Sequence, residues 1–268
     1  MIINEIFQLP TVTGREEFDT LDALMETLIA KRYFKSLKLA GPCPKPKPKA
    51  VGLSRESWEL SRDKIKVTKV IGKGSFGEVR LGLWKDTKDE TSSVKVAVKM
   101  MKPGTTMKVT SFIQEGQTMM NLQHQNIVQL YGVCTEREPI MIVTEYMVKG
   151  SLEKYLRHGD GKNLNPLQQI GIATQVAAGM AYLAEKNIVH RDLRTANVLV
   201  GEDNVYKVTD FGLAREDNYT AVKGAKFAIR WAAPEAINRL HFSVQSDVWS
   251  FGILMTEILS KGKEPYSG

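Results

Sequence analysis

Cysteine is scarce in this 268-residue chain: Cys43 and Cys134 are the whole supply. They build no disulfide framework and match no metal-ligand spacing, which excludes a stapled scaffold and a cysteine metal site. Long apolar runs are absent too. No stretch approaches the ~18 consecutive apolar residues of a membrane span. The start, MIIN, carries no secretory leader and no glycine at position 2 for myristoylation. The chain is therefore expected to be soluble and cytoplasmic, with no membrane association encoded in it. Internal repeats are missing as well. Charge of one sign is not concentrated: the net +7 comes from 37 basic and 30 acidic residues spread along the sequence. The one basic cluster, PCPKPKPK at 42–49, reads as a spacer, so no nucleic-acid partner is expected.

What is present is ordinary globular material, 43% hydrophobic and 25% charged, long enough for one or two domains. Residues 15–29, REEFDTLDALMETLI, put Phe18, Leu21, Met25 and Leu28 at helical spacing, widened by Leu24, and predict an amphipathic helix. Alternating proline and lysine at 44–48 favours extended backbone that packs no core, and marks a domain boundary. From residue 64 the pattern turns to strand, glycine turn, strand. Ile65 and Val67 alternate before the turn; Val79, Leu81 and Leu83 alternate after it. VKVAVKMM, NIVQLYGVC and IMIVTEYM read as further strands, and 109–122 as a helix. Beyond Ser151 the chain turns helical, in NPLQQIGIATQVAAGMAYLAEK and SDVWSFGILMTEILS. A strand-rich half followed by a helix-rich half predicts two lobes with a cleft between them.

Several polar residues sit where such a scaffold does not need them. Gly72, Gly74 and Gly77 form G-x-G-x-x-G, but Glu78–Leu81 reads as a strand, so a dinucleotide fingerprint, which needs a helix there, is excluded. A plain hairpin turn and a phosphate-covering loop both remain, since glycine lets backbone approach a phosphate closely. Lys99 ends the strand VAVK, and Glu115 lies near the apolar face set by Phe112, Met119 and Leu122. IVHRDLRTANVLV, 188–200, interrupts an apolar run with His190, Arg191, Asp192, Arg194 and Asn197, and Asp210-Phe211-Gly212 follows. Two carboxylates and a carboxamide are hard oxygen ligands suited to magnesium; Asp192 could instead accept a proton from a hydroxyl. Singly, each has an ordinary reading as a solvated lysine, surface glutamate or capping aspartate. Their joint order and spacing do not.

Glycine loop, VAVK, helical glutamate, HRDLRTAN, DFG and APE together resemble the protein-kinase signature over about 65–268. The resemblance implies an α+β, bilobal protein-kinase fold: a β-rich N-lobe with one long helix and an α-helical C-lobe. It implies ATP as phosphoryl donor, with magnesium or manganese. Ile71, Gly72, Lys73, Gly74, Ser75, Phe76, Gly77, Val79, Ala97, Lys99, Thr144, Glu145, Met147 and Leu199 would surround the nucleotide. Lys99 would pair with Glu115, Asp192 would be the base with Arg194 beside it, and Asn197 and Asp210 would hold the metal. Met119, Leu130, His190 and Phe211 would stack into a column linking the lobes, with Asp247 holding the catalytic loop from below.

Arg194, where serine/threonine kinases usually carry lysine, and FAIRWAAPEA at 227–236 resemble Src-type cytoplasmic tyrosine kinases. That implies protein substrates with tyrosine acceptors, a monomeric enzyme, and autophosphorylation at Tyr219, with Arg191 and Arg215 as partners of the phosphate. A kinase-like scaffold without turnover is the competing reading; intact Lys99, Asp192 and Asp210 argue against it. Residues 1–45 resemble the C-terminal part of a Src-homology-2 domain, with GREEFDTLDALMETL as its second helix, 46–63 as a linker and 64–268 as an incomplete kinase domain. The chain thus reads as an internal fragment of a longer kinase. On its own it is expected to fold poorly and to have little activity.

Overall fold

The computed structural model describes residues 7–11, 14–18, 58–73, 77–85, 93–101, 106–222 and 224–267. Met1–Lys47 and Pro48–Gly268 form two compact units. In the first, β1 (Phe7–Thr11) and β2 (Gly14–Phe18) pair as an antiparallel hairpin, with Phe7 opposite Phe18. This corrects the helix expected over 15–29 at its start, because Arg15–Phe18 is extended. Phe18 is the only apolar residue in that stretch, so it has no apolar stripe to bury as a helix, and ladder pairing decides its conformation. The segment expected as the second helix of a Src-homology-2 domain is thus extended over its first residues, Gly14–Phe18. Residues 19–29 and the proline–lysine run lie outside the described residues.

The second unit opens with a five-stranded antiparallel sheet in the order β3-β4-β5-β7-β6. Its members are β3 (Ile65–Lys73), β4 (Gly77–Lys85), β5 (Ser93–Met101), β6 (Leu130–Cys134) and β7 (Met141–Glu145). A helix, α1 (Thr106–Met120), separates β5 from β6. Alternation along β5 does what its sequence predicts. Val96 and Val98 are fully buried in one apolar cluster with Ile65 and Val143, while Ala97 and Lys99 are half-buried on the other face. A Cβ at Gly77 would lie 1.9 Å from the Met100 carbonyl oxygen, so glycine is needed there for β4 and β5 to approach. Trp58–Leu60 runs along the edge of β6: Leu60 N–H donates to Val133 O and Val133 N–H to Trp58 O, both at 2.8 Å.

The second half is mainly helical. A short strand β8 (Gly150–Ser151) leads into α2 (Leu152–His158) and α3 (Pro166–Glu185). Asn165 caps α3 reciprocally with Gln168, and Pro166 occupies its first turn, where the missing N–H costs nothing. Small strands follow: β9 (Ile188–Val189), β10 (Val198–Val200), β11 (Tyr206–Val208), β12 (Arg215–Glu216) and β13 (Tyr219–Thr220). The described chain then ends in α4 (Pro234–Arg239), β14 (His241–Phe242) and α5 (Val244–Leu259). α3 packs against α5. The largest apolar cluster gathers Ile172, Val176 and Leu183 of α3, Leu254 and Ile258 of α5, and Phe112 and Met119 of α1. A β-rich half and an α-helical half thus share one continuous core.

Candidate active site

The strand run 188–200 explains its own polar interruption. Val189, Val198 and Val200 are fully buried and anchor both ends. β10 pairs antiparallel with β11, Val198 opposite Val208, which sets Asn197 beside Thr209; Thr209 N–H donates to Asn197 O at 3.0 Å. The ladder therefore carries Asp210 up to the loop bearing Asp192. Arg191 (φ 70°) and Asp210 (φ 67°) are among the residues in this region that adopt the left-handed conformation, which is uncommon for residues other than glycine. Arg191 is held there from below: the Asp247 carboxylate of α5 accepts His190 N–H at 2.6 Å and Arg191 N–H at 3.0 Å. That is the role the kinase resemblance implied for Asp247.

Asp192 sits within a small network. Arg194 Nε donates to its Oδ1 at 3.0 Å, and Asn197 Nδ2 donates to its Oδ2 and its carbonyl oxygen, both at 2.7 Å. Burial pushes the Asp192 carboxyl up. Arg194, His190 and the Asn197 hydrogen bond pull against that rise and Asp210 adds to it, so the value stays raised. Asn197 spends its amide N–H group on Asp192, so the rest of its side-chain polarity is an oxygen. His190 bonds through both ring nitrogens, accepting at Nδ1 from Asp192 N–H (3.3 Å) and bonding through Nε2 to Thr209 O (2.9 Å). Its ring meets Phe211 edge-on at 5.3 Å. Met119, Leu130, His190 and Phe211 are all buried, and the three apolar ones belong to one cluster.

The second group lies across from the first. Lys99 Nζ stands 2.7 Å from both Glu115 oxygens and 3.1 Å from Asp210 Oδ1. Burial alone would lower the Lys99 pKa; Glu115 and Asp210 together prevail and raise it. For Asp210 burial acts upward, but the charge and hydrogen bond of Lys99 hold it below the usual carboxylate range. Lys99 on the sheet, Glu115 on α1 and Asp210 after β11 thus converge. Sequence alone left Glu115 open as a surface residue; it is 3% exposed.

Ile71, Val79, Ala97, Thr144 and Leu199 are half-buried. Val79 pairs with Lys99, and Ala97 with Thr144, so these side chains share the Lys99 face of the sheet. They form apolar or small surface that is only partly covered, Leu199 also packing against the main core, and such surface suits a flat heterocyclic base. The Glu145 carboxylate is occupied by Lys207 Nζ (2.7 and 2.9 Å) and Gln129 N–H (2.7 Å). Its own amide donates to Gln129 O. The Met147 carbonyl accepts Gly150 N–H, whereas among the described residues the Met147 amide N–H has no protein acceptor. Of the expected glycine-loop residues, Gly72 and Gly77 are strand residues. Gly74, Ser75 and Phe76 lie outside the described residues, as does the side chain of Lys73.

Tyr219 is half-buried. Its ring faces the guanidinium groups of Arg191 at 4.5 Å and Arg215 at 5.7 Å. Arg191 Nε is the one buried side-chain polar atom without a hydrogen-bond partner among the described residues. Sequence reasoning missed Glu257. It is 1% exposed, and its carboxylate accepts Thr195 N–H (3.1 Å), Thr195 Oγ1–H (2.6 Å) and Trp231 Nε1–H (2.8 Å). The available signal was a carboxylate inside GILMTEIL, an apolar helical stretch where an unpaired charge is too costly to keep.

A lysine tied to a buried glutamate and to a second carboxylate, with a carboxamide bonded to a third carboxylate nearby in the chain, makes a site for moving a phosphoryl group from a nucleotide. Residues 65–268, more than half the chain, match the family described as protein tyrosine and serine/threonine kinase, and the chain belongs to that family. Membership implies nucleotide binding in general and a protein as acceptor. Among the described residues no three His, Cys, Asp or Glu side chains cluster as a metal cage. Asn197 and Asp210 fit magnesium, which takes one or two protein oxygens and leaves its other positions to phosphate and water. Among the described residues no helix is long and apolar enough to cross a membrane.

Proposed function

We propose that this chain is a protein tyrosine kinase of the Src type, transferring the γ-phosphoryl of ATP to tyrosine hydroxyls and switched by phosphorylation of Tyr219. The observation that carries the tyrosine assignment is Arg194 and its contacts. A serine/threonine kinase usually holds a lysine at this position, as a point charge that meets phosphate. Here a guanidinium donates through Nε to Asp192 Oδ1 and faces the Trp231 ring at 5.6 Å. It is a flat, partly exposed surface beside the base, suited to a planar acceptor.

In this reading Lys99, fixed by Glu115, orients the α- and β-phosphates. Ile71, Val79, Ala97 and Leu199 hold the base, with Thr144 behind it and the Met147 amide donating to its edge. Magnesium, when bound, neutralises phosphate charge, and Asn197 and Asp210 are the residues that would hold it. Asp192 orients the acceptor hydroxyl and takes its proton at the carboxylate. The test is incubation with labelled ATP, magnesium and a peptide carrying tyrosine, serine and threonine, followed by phosphoamino-acid analysis. Label on tyrosine is expected. Label on serine or threonine alone refutes the acceptor assignment.

A further inference from the structure

Glu257 is buried in the last turn of α5 and spends its whole carboxylate on two segments that are distant in sequence. One is the turn Thr195–Asn197 of the catalytic loop; the other is Trp231 of the platform 227–236. A buried carboxylate is costly to desolvate, and three donors aimed at it offset that cost. Ten residues earlier on the same helix, about 15 Å along its axis at 1.5 Å per residue, Asp247 holds the other end of the catalytic loop through His190 and Arg191. One helix therefore grips the loop at both ends, and only the Glu257 grip extends to the platform. Ser250 Oγ, also on α5, adds a hydrogen bond to Trp231 O at 2.8 Å. The Trp231 ring then faces Arg194, whose Nε reaches Asp192. The Arg194 side chain is 35% exposed and Trp231 is half-buried, so the pair keeps a solvent-facing side next to the base. Guanidinium and indole both offer faces against which an aromatic ring packs favourably.

We infer that Glu257 is a positioning residue for the protein acceptor: by locking Trp231 to the catalytic turn, it sets the Trp231–Arg194 face on which the tyrosine ring rests. This rests on the kinase reading above and deepens it. Glu257→Gln places an amide N–H₂ group among three donors. Trp231→Phe keeps a ring but removes the N–H, leaving the Thr195 contacts intact. In steady-state assays with an acceptor peptide, Glu257→Gln is expected to raise the acceptor KM about tenfold, the scale of one hydrogen bond to a charged group. The ATP KM is expected to stay within about twofold of the native value. Trp231→Phe moves the acceptor KM in the same direction by less, and the double variant is no worse than Glu257→Gln. A merely structural role would move both KM values or neither, and either result overturns the inference. If Glu257→Gln fails to fold, Trp231→Phe decides alone. Peptide affinity measured by calorimetry without nucleotide separates this inference from the kinase reading. Weaker binding by the variants supports the inference even if no transfer is seen, and unchanged affinity refutes it even in an active kinase.

Discussion

Lys99 and Glu115 form a two-pronged ion pair, Nζ lying 2.7 Å from each carboxylate oxygen, with side chains only 18% and 4% exposed. At that burial the pair is held by geometry more than by solvent-screened attraction, and removing one partner strands the other. Lys99→Met is expected to abolish phosphoryl transfer while leaving a folded protein. The stranded Glu115 charge costs at most about 3–5 kcal/mol, and protonation relieves part of it. Transfer assays and a thermal melt, run together, check this. Near-native turnover in the variant would remove Lys99 from the site.

Asp247 holds the loop that carries Asp192. Its two oxygens take the N–H groups of His190 and Arg191, and Arg191 sits at φ 70°. Asp247→Asn supplies one acceptor and one donor in place of two acceptors, leaving a buried N–H facing an N–H₂. The expected cost is about 1–3 kcal/mol of stability, read by denaturant unfolding. A lower kcat should accompany it at nearly constant ATP KM, because the loop and not the nucleotide pocket is loosened. A stable variant with native kcat would mean the loop holds its shape unaided.

How far the site could be read from sequence follows from which residues carry local signals. Lys99 was legible because it ends VAVK on a strand after the glycine hairpin, whereas Ala97 came with the kinase resemblance; both lie opposite the buried Val96 and Val98. Asp192 and Asn197 were legible because they break an apolar run. Asp247 and the column of Met119, Leu130, His190 and Phe211 came from kinase resemblance, and their burial agrees with it. Glu115 was ambiguous, since a carboxylate near an apolar face has two readings until the sheet is placed against it. Glu257 showed only as a carboxylate in an apolar helical stretch, and its role could not be read because its three donors come from Thr195 and Trp231, sixty-two and twenty-six positions away. Residues 15–18 were misread because the helical spacing of Leu21–Leu28 was extended backward over a stretch whose one apolar residue, Phe18, pairs with Phe7.

Tyr219 lies against two guanidinium groups, one of which, Arg191, has its Nε unpaired among the described residues. Burial lowers the Arg191 pKa; Tyr219 works upward against this, Arg215 lowers it further, and Asp247 also works upward. A phosphate of roughly −1.5 to −2 charge on Tyr219 would supply the missing acceptor and offset the crowded positive charge. Preincubation with ATP is therefore expected to raise the activity of the native chain several-fold. Tyr219→Phe should start at the same basal rate and stay there. Equal activation of the two proteins would exclude Tyr219 as the switch.

Cys134 closes β6 at 2% exposure, and burial pushes its thiol up to about 12. Glu59 adds to the rise, Arg62 opposes it, and Glu136 adds to it. In the unfolded chain the thiol ionises near pH 8.5, so between that value and about 12 the folded state keeps a proton that the unfolded state has lost. Stability from this group is complete below the unfolded value and falls as pH rises through the window, by at most about 1.4 kcal/mol per pH unit. Lysines titrate there too, so the quantity to compare is the slope of unfolding free energy against pH in the native protein and in Cys134→Ala. The native slope should be the steeper between pH 9 and 11. In a Cys43→Ser background, leaving a single thiol, iodoacetamide at pH 8 should modify Cys134 at least about 100-fold more slowly in the folded than in the unfolded chain, because the thiolate is the nucleophile and burial suppresses it. Equal alkylation rates, or identical pH slopes, would mean that the strand end opens to solvent and that β6 does not seal the sheet there.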